Sequence, residues 1–385
     1  MEKYKLKDCC KFIDYRGKTP EKSDAGYRLI TVKNVKPSGY CDEPKEYIPI
    51  ESYESVMVRG IPKAGDILFT TEAPLGNIGR IPEFTEPFAV GQRIIVIQPK
   101  VELLDYQYMV YKLRSPSFQE EMFRRSSGST VKGIRSKELV EIEIDFPELK
   151  EQKRISKILF ALERIIEARK NELEQLDDLI KARFVELFGD PICNSKNMIL
   201  SPLNDVCTRI TDGTHDTPPR YDSGYLLITG KNIRSSGIIF DDVEFVSEED
   251  HKIIYSRCNP EYGDVLYTNI GVNYGTACYN NLEYEFSMKN VALLKPNHRL
   301  VNGYYLWECL NIMRNHILSM NQVGGAQTFM GLAAIKKIII PVPQIELQKQ
   351  FAEFVTQVDK SKVAVQKALD EAQLLFDSLM QKYFG

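Results

Sequence analysis

Arg124, Arg125, Lys132, Arg135 and Lys137 fall in one sixteen-residue window, Met122 to Lys137, that holds no acid and surrounds the run Ser126-Ser127-Gly128-Ser129-Thr130. Cations, a hydroxyl such as that of Ser129 and loop amides suit contact with phosphate. A second segment, Asn321-Gln322-Val323-Gly324-Gly325-Ala326-Gln327-Thr328, carries amides where the first carries charges. Gln322, Gln327 and Thr328 have the groups that read base edges, an amide pairing with adenine as Arg pairs with guanine. Two further pairs of loops have the same character. Asp14-Tyr15-Arg16-Gly17-Lys18-Thr19-Pro20 stands beside Thr211-Asp212-Gly213-Thr214-His215-Asp216-Thr217-Pro218, and Thr70-Thr71-Glu72 beside Thr268-Asn269-Ile270. Arg16, Lys18, Thr71, His215 and Asn269 are their candidate DNA contacts. The competing reading is a set of solvated turns satisfied by their own hydroxyls and carboxylates.

Catalytic constellations are harder to find. Gly224 to Lys231 has the outline of a phosphate-binding loop, but five residues separate Gly224 from Gly230 and Asn232 stands where a Ser or Thr would hold magnesium. Its interior, Tyr225–Thr229, reads as a strand. Thr217-Pro218-Pro219-Arg220-Tyr221 approaches the Asn/Asp-Pro-Pro-aromatic motif of amino-methyltransferases, without the acidic or amide first residue and with an Arg before the aromatic. Gly76-Asn77-Ile78-Gly79 lacks the third glycine and the following helix of a dinucleotide site. The eight cysteines form no Cys-x-x-Cys pair and the four histidines are dispersed, so no metal site is expected. The chain reads as non-catalytic.

Such loops need a scaffold, and the sequence contains it twice. At an offset of about 197, Gly26-Tyr27-Arg28-Leu29-Ile30-Thr31-Val32-Lys33-Asn34 matches Gly224-Tyr225-Leu226-Leu227-Ile228-Thr229-Gly230-Lys231-Asn232. Gly65-Asp66-Ile67-Leu68-Phe69-Thr70 matches Gly263-Asp264-Val265-Leu266-Tyr267-Thr268, and Pro147 to Gln152 matches Pro343 to Gln348. Phe188-Gly189 matches Phe384-Gly385. A period this long indicates duplicated domains. Each copy opens with a mixed α+β part, holding β-like runs such as Arg93–Ile97 and Val291–Leu294 and helix-like stretches at Tyr106–Arg114 and Gly303–Ile312.

Each copy closes with a Pro- and Gly-free stretch, 151–187 and 347–383, that reads as one helix about 55 Å long at 1.5 Å per residue. A heptad seam runs through Ile155, Leu159, Leu162, Ile166, Arg169, Leu173, Leu176, Ile180, Arg183 and Leu187. Its counterpart is Phe351, Val355, Val358, Lys362, Val365, Leu369, Ala372, Phe376, Leu379 and Tyr383. Eight and nine of these ten are apolar, which predicts helix-on-helix pairing, with Arg169, Arg183 and Lys362 snorkelling outward. The expected domains are 1–147 and 190–343, each followed by a spacer helix, 148–189 and 344–385.

Composition sets bounds on these readings. The chain has 385 residues, 43% apolar and 27% charged, with a net charge of −3, so a DNA-binding claim rests on where charge sits and not on its sum. No run of eighteen or more apolar residues occurs and Met1-Glu2-Lys3-Tyr4-Lys5 has no signal-peptide character; a cytoplasmic location without membrane contact is expected.

The order of globular domain, Pro-x-Leu/Ile-x-x-Gln and long helix, repeated once, resembles the specificity subunit of type I restriction-modification systems across essentially the whole chain. The Gly-Asp-Ile/Val-Leu-aromatic-Thr strands and the loops Gly128-Ser129-Thr130 and Gly325-Ala326-Gln327-Thr328 carry the likeness. Asp145 against Pro341, and Leu347 in place of an acid before Gln348, are departures at the helix entries. The resemblance implies two target recognition domains, each reading one half of a split site in double-stranded DNA, with the two long helices packed antiparallel as a coiled-coil spacer. Two-fold related readers would meet DNA about one helical turn apart, roughly 10 bp. It further implies two adenine methyltransferase subunits and nuclease/translocase subunits as partners. S-adenosylmethionine, ATP and magnesium would then belong to those partners, with no cofactor in this chain. Two other readings compete: a stand-alone DNA methyltransferase or nuclease with diverged motifs, and a purely structural coiled-coil adaptor.

Overall fold

In the computed structural model, which describes residues 2–15, 20–271, 273–320 and 329–385, the matched sequence blocks become matched local structure. Gly26 and Gly224 have φ of +134° and +142°, and a Cβ added at either would lie 2.0 Å from the Ile48 carbonyl oxygen or 2.4 Å from that of Val246. Only glycine fits such an approach. Eight residues on, Asn34 and Asn232 close a 3-10 turn. Asn34 Oδ1 accepts the Thr31 N–H at 3.0 Å, and Asn232 Oδ1 accepts the Thr229 N–H at 3.0 Å. The Asn34 amide donates to the Cys41 and Pro44 carbonyls, and that of Asn232 to Ile239 and Asp242. Gly224 to Lys231 is therefore strand and turn, as its interior predicts.

The chain divides into two units, one of residues 1–169 with 368–385 and the other of residues 170–367. The first contains a four-stranded antiparallel sheet in the order Cys10–Asp14, Ile94–Pro99, Ile67–Thr71, Leu75–Arg80. Val96, opposite Ile13 and Leu68, faces one core cluster, while Ile95 and Ile97 with Ile67 and Phe69 face another, so the central strands bury side chains on both faces. A three-stranded sheet, Glu46–Ile48, Tyr27–Ile30, Phe88–Val90, has one parallel pair. The second unit repeats this topology: Cys207–Asp212, Ala292–Pro296, Val265–Tyr267 and Ala277–Tyr279 in one sheet, Glu244–Val246, Tyr225–Thr229 and Ser287–Lys289 in the other.

The Asp of each Gly-Asp motif fixes the turn into its strand. Asp66 accepts the Lys63 N–H at 2.8 Å and the Gln98 amide at 2.6 Å; Asp264 accepts the Glu261 N–H and Lys295, both at 2.8 Å. Burial pushes both carboxyl groups above the usual carboxylate range. The motif glutamines are internal ties as well. Gln152 accepts the Asp105 N–H at 2.9 Å and donates to the Leu103 and Pro147 carbonyls; Gln348 accepts the Asn302 N–H at 2.7 Å and donates to Leu300 and Pro343. Each fixes the start of a long helix to the N-terminus of a domain helix, Tyr106–Arg114 or Gly303–Ile312.

The long helices span Leu149–Phe188 and Ile345–Phe384. Within each unit their segments pair antiparallel: Arg154 meets Tyr383 in the first, and Asp177 meets Lys362 and Phe184 meets Phe351 in the second. All twenty seam positions are buried or half-buried, among them Ile155, Leu159, Leu162, Ile166, Leu173, Leu176, Val355, Val358, Leu369 and Phe376. Two seam cations depart from the snorkelling expectation. Lys362 pairs with Asp177 at 2.5 Å, and the Arg183 guanidinium lies over the Phe354 ring at 5.7 Å. A cation at a seam does better against a facing carboxylate or ring than alone in a groove.

A second apolar face escaped the heptad reading. Phe184 and Phe188 pack on Tyr305 and Phe351, while Met380 and Phe384 join Tyr108, Tyr111, Ile155 and Leu159. Each long helix thus serves a helix and a domain at once, and the fold class is α+β with the repeated mixed domain followed by a long helix in each copy.

Candidate nucleic-acid interface

Thr71 ends the strand Ile67–Thr71, and the basic loop returns to it. The Ile134 N–H donates to the Thr71 carbonyl at 3.0 Å, and Ser127 and Gly133 exchange backbone hydrogen bonds at 2.9 Å across the loop. Gly128 has φ +114°, and a Cβ there would lie 2.1 Å from the Val131 carbonyl oxygen, which explains the glycine anchor. The result is a cleft of about 280 Å³ lined by Thr71, Glu72, Gln92, Arg93, Ser127 and Arg135 among others. Thr71 is 1% exposed, and its Oγ1 has no hydrogen-bond partner among the described residues. Ser129, Lys132 and Arg135 are exposed on the loop above it.

The cations of the window are not equivalent. Arg124 and Arg125 both bond to Glu121, at 2.5 Å each, and these guanidinium groups hold the Glu121 carboxyl below its usual range. Glu121 lies one residue outside the acid-free window, one helical turn before its partners on the helix Pro116–Arg124. One carboxylate thus serves both guanidinium groups, and the cluster of three keeps a net positive charge. Lys132 and Arg135 form no ion pair among the described residues. Gln92 and Arg93, which sequence reasoning missed, bring a further amide and a cation, the latter 3.0 Å from Glu72. Their signal was weak: a short turn after Phe88–Val90 with Arg93 at φ 71°.

The second unit repeats the frame with other side chains. The Met330 N–H donates to the Asn269 carbonyl at 3.0 Å, and Phe329 bridges to Ile270. Asn269, in the position of Thr71, is also 1% exposed, and its Oδ1 has no partner among the described residues. Asn290, in the position of Arg93, is again left-handed, with φ 53°. Its Oδ1 lies 3.0 Å from His215 Nδ1, while His215 Nε2 is 2.9 Å from Asp212, which also takes Arg257 at 3.1 Å. His215 is held by neighbours on both ring nitrogens, with its ring half exposed. Arg16, Lys18, Gln322, Gln327 and Thr328 lie outside the described residues.

Among the described residues, no group of three or more His, Cys, Asp or Glu side chains is placed to hold a metal ion, and no helix is long and apolar enough to cross a membrane.

The family described as type I restriction modification DNA specificity domain matches residues 1–176 and again 196–372. The chain belongs to this family. As a type I specificity subunit it is the DNA-recognition member of its system and not a catalytic one. It is 28% identical to the MjaVIII specificity subunit of Methanocaldococcus jannaschii over 164 residues, 42% of this chain and 38% of that one. It is 23% identical to the putative MjaX specificity subunit of the same organism over 391 residues, covering 90% and 85%. With the EcoBI specificity subunit of Escherichia coli it shares 21% over 332 residues, covering 78% and 69%. The fold is that of the type I S subunit from M. genitalium, with a TM-score of 0.64 at 18% identity, covering 100% of this chain and 96% of that one.

Proposed function

We propose that this specificity subunit reads a bipartite site in double-stranded DNA and directs two adenine methyltransferase subunits, with nuclease/translocase subunits, to it. Residues 1–147 and 190–343 are the two readers in this proposal, and 148–189 with 344–385 are the spacer. The observation that carries it is the pair of matched frames at Thr71 and Asn269. One scaffold presents a hydroxyl under cationic loops in the first copy and an amide in the second. Readers of two different half-sites need this combination of constant frame and varied donors. Lys132, Arg135 and Arg93 supply phosphate contact in the first copy; S-adenosylmethionine, ATP and magnesium act on the partner subunits.

The charge inventory of the loop makes the proposal testable. In the assembled methyltransferase complex, Arg135→Ala and Lys132→Ala should each weaken binding to every duplex and lower the slope of log affinity against log salt by about one. Arg124→Ala should lower the slope less than either, because Glu121 holds that guanidinium in an ion pair. Unchanged slopes for both Arg135→Ala and Lys132→Ala would remove this loop from the interface.

A further inference from the structure

Glu308 is an acid on a largely buried helix face, 4% exposed, with no hydrogen bond or ion pair from its carboxylate among the described residues. It faces a cavity of about 370 Å³ inside the second unit, floored also by Ile180 and Trp307 and rimmed by the exposed Lys181, Ser235 and Ser236. An ionised carboxylate so placed is costly without a counter-charge. The charges that act on Glu308 through space, those of Lys181, Asp177 and Lys362, are each paired elsewhere. On the first long helix Asp177 pairs with Lys362 and Lys181 with Asp178; on the second, Lys362 also lies 3.8 Å from Asp359. Arg234 and Arg314 also line the cavity, but their donors are turned to backbone carbonyls, Arg314 twice to Tyr274 and Arg234 to Lys231 and Ile233, and neither is among the charges acting on Glu308.

The other copy indicates what is missing. In the repeat register Glu308, Asn311 and Asp359 correspond to Tyr111, Arg114 and Glu163. There the Arg114 guanidinium sits 3.1 Å from Glu163, whose other oxygen takes the Tyr111 hydroxyl at 2.6 Å. The first copy thus fills the position with its own cation. In the second, Asn311 turns to the Ala277 backbone at 3.0 Å, an extra acid replaces the tyrosine, and a cavity remains.

We propose that the cavity at Glu308 is a cation site that receives a guanidinium or ammonium group from outside the chain. That group is either a free amine or guanidine, or a basic side chain of a bound protein subunit. Burial pushes Glu308 up to about 7, so the site gains its charge, and its affinity, as pH rises from 6 to 8.

Calorimetric titration of the full chain with agmatine tests the free-cation source. Saturable binding is expected at pH 8, weaker at pH 6, at least tenfold weaker in Glu308→Gln and lost in Asn311→Arg, which restores the internal guanidinium. Assembly with the methyltransferase subunit tests the protein source and rests on the proposed function. Here agmatine fails to bind, yet both variants weaken assembly at least tenfold. Melting curves verify that each variant is folded, and Glu308→Gln alone suffices if Asn311→Arg is not. Agmatine binding undiminished in Glu308→Gln overturns the proposal, as does a wild-type chain that binds no agmatine and whose assembly Glu308→Gln leaves unchanged.

Discussion

A chain ending at Gly189 is expected to form an antiparallel homodimer at micromolar concentration. In the intact first unit Tyr108, Ile155 and Leu159 are covered by Met380 and Phe384, which truncation removes. The repeat register places Phe184 and Phe188 at the positions of Met380 and Phe384, and in the second unit these phenylalanines cover Tyr305 and Phe351 in the same manner. A second copy can therefore supply what the deleted half supplied. Each buried side chain is worth about 1.5–3 kcal/mol, so leaving five or more exposed costs on the order of 10 kcal/mol per chain. With methyltransferase partners, such a dimer should select a palindromic site built from the half read by residues 1–147. A monomer by light scattering at roughly 10 micromolar, where an association with a Kd of about 1 micromolar or tighter would be mostly dimer, would show that the two copies do not share a packing mode.

Phe184→Ala should produce the largest loss of stability from a single change on the long helices. The ring is fully buried, with centroids 4.9 Å from Phe188, 5.3 Å from Tyr305 and 5.5 Å from Phe351. Truncating such a side chain costs about 3–5 kcal/mol through lost transfer energy and the cavity left behind. For a unit of this size the melting midpoint should fall by roughly 10 °C. Val185→Ala, one residue along on an exposed face, should change stability by no more than about 0.5 kcal/mol. Equal effects of the two, measured by urea or thermal unfolding, would contradict the packing of this helix end on its domain.

Periodicity carried most of the architecture. The helices extend only two residues at the start and one at the end beyond the Pro- and Gly-free stretches, because nothing inside either stretch interrupts helical hydrogen bonding. The seam was legible since a 3.5-residue repeat marks a face that meets another helix. Phe184, Phe188, Met380 and Phe384 were not, because they lie off that stripe on the face that meets a domain. The pairing of the strand ends at Thr71 and Asn269 was legible from the repeat, and at each a backbone bond ties the strand end to a later segment, at Ile134 or Met330. What local sequence concealed was pairing and depth: Glu121 takes two of the five cations, Thr71 lies beneath its cleft, and Asn269 is equally buried. Glu308 reads in sequence as one more acid among 53, and only the fold distinguishes it.

The central claim is that two independent readers on one spacer define a two-part site. Adenine methylation mapped in DNA from cells expressing the full chain with its methyltransferase partner tests this most directly, with residues 1–147 either native or exchanged for those of a relative. The expected result is a split motif of two unlike halves separated by unspecified bases, of which the exchange alters one and leaves the other intact. A single uninterrupted motif, or a change in both halves on exchange, would contradict it.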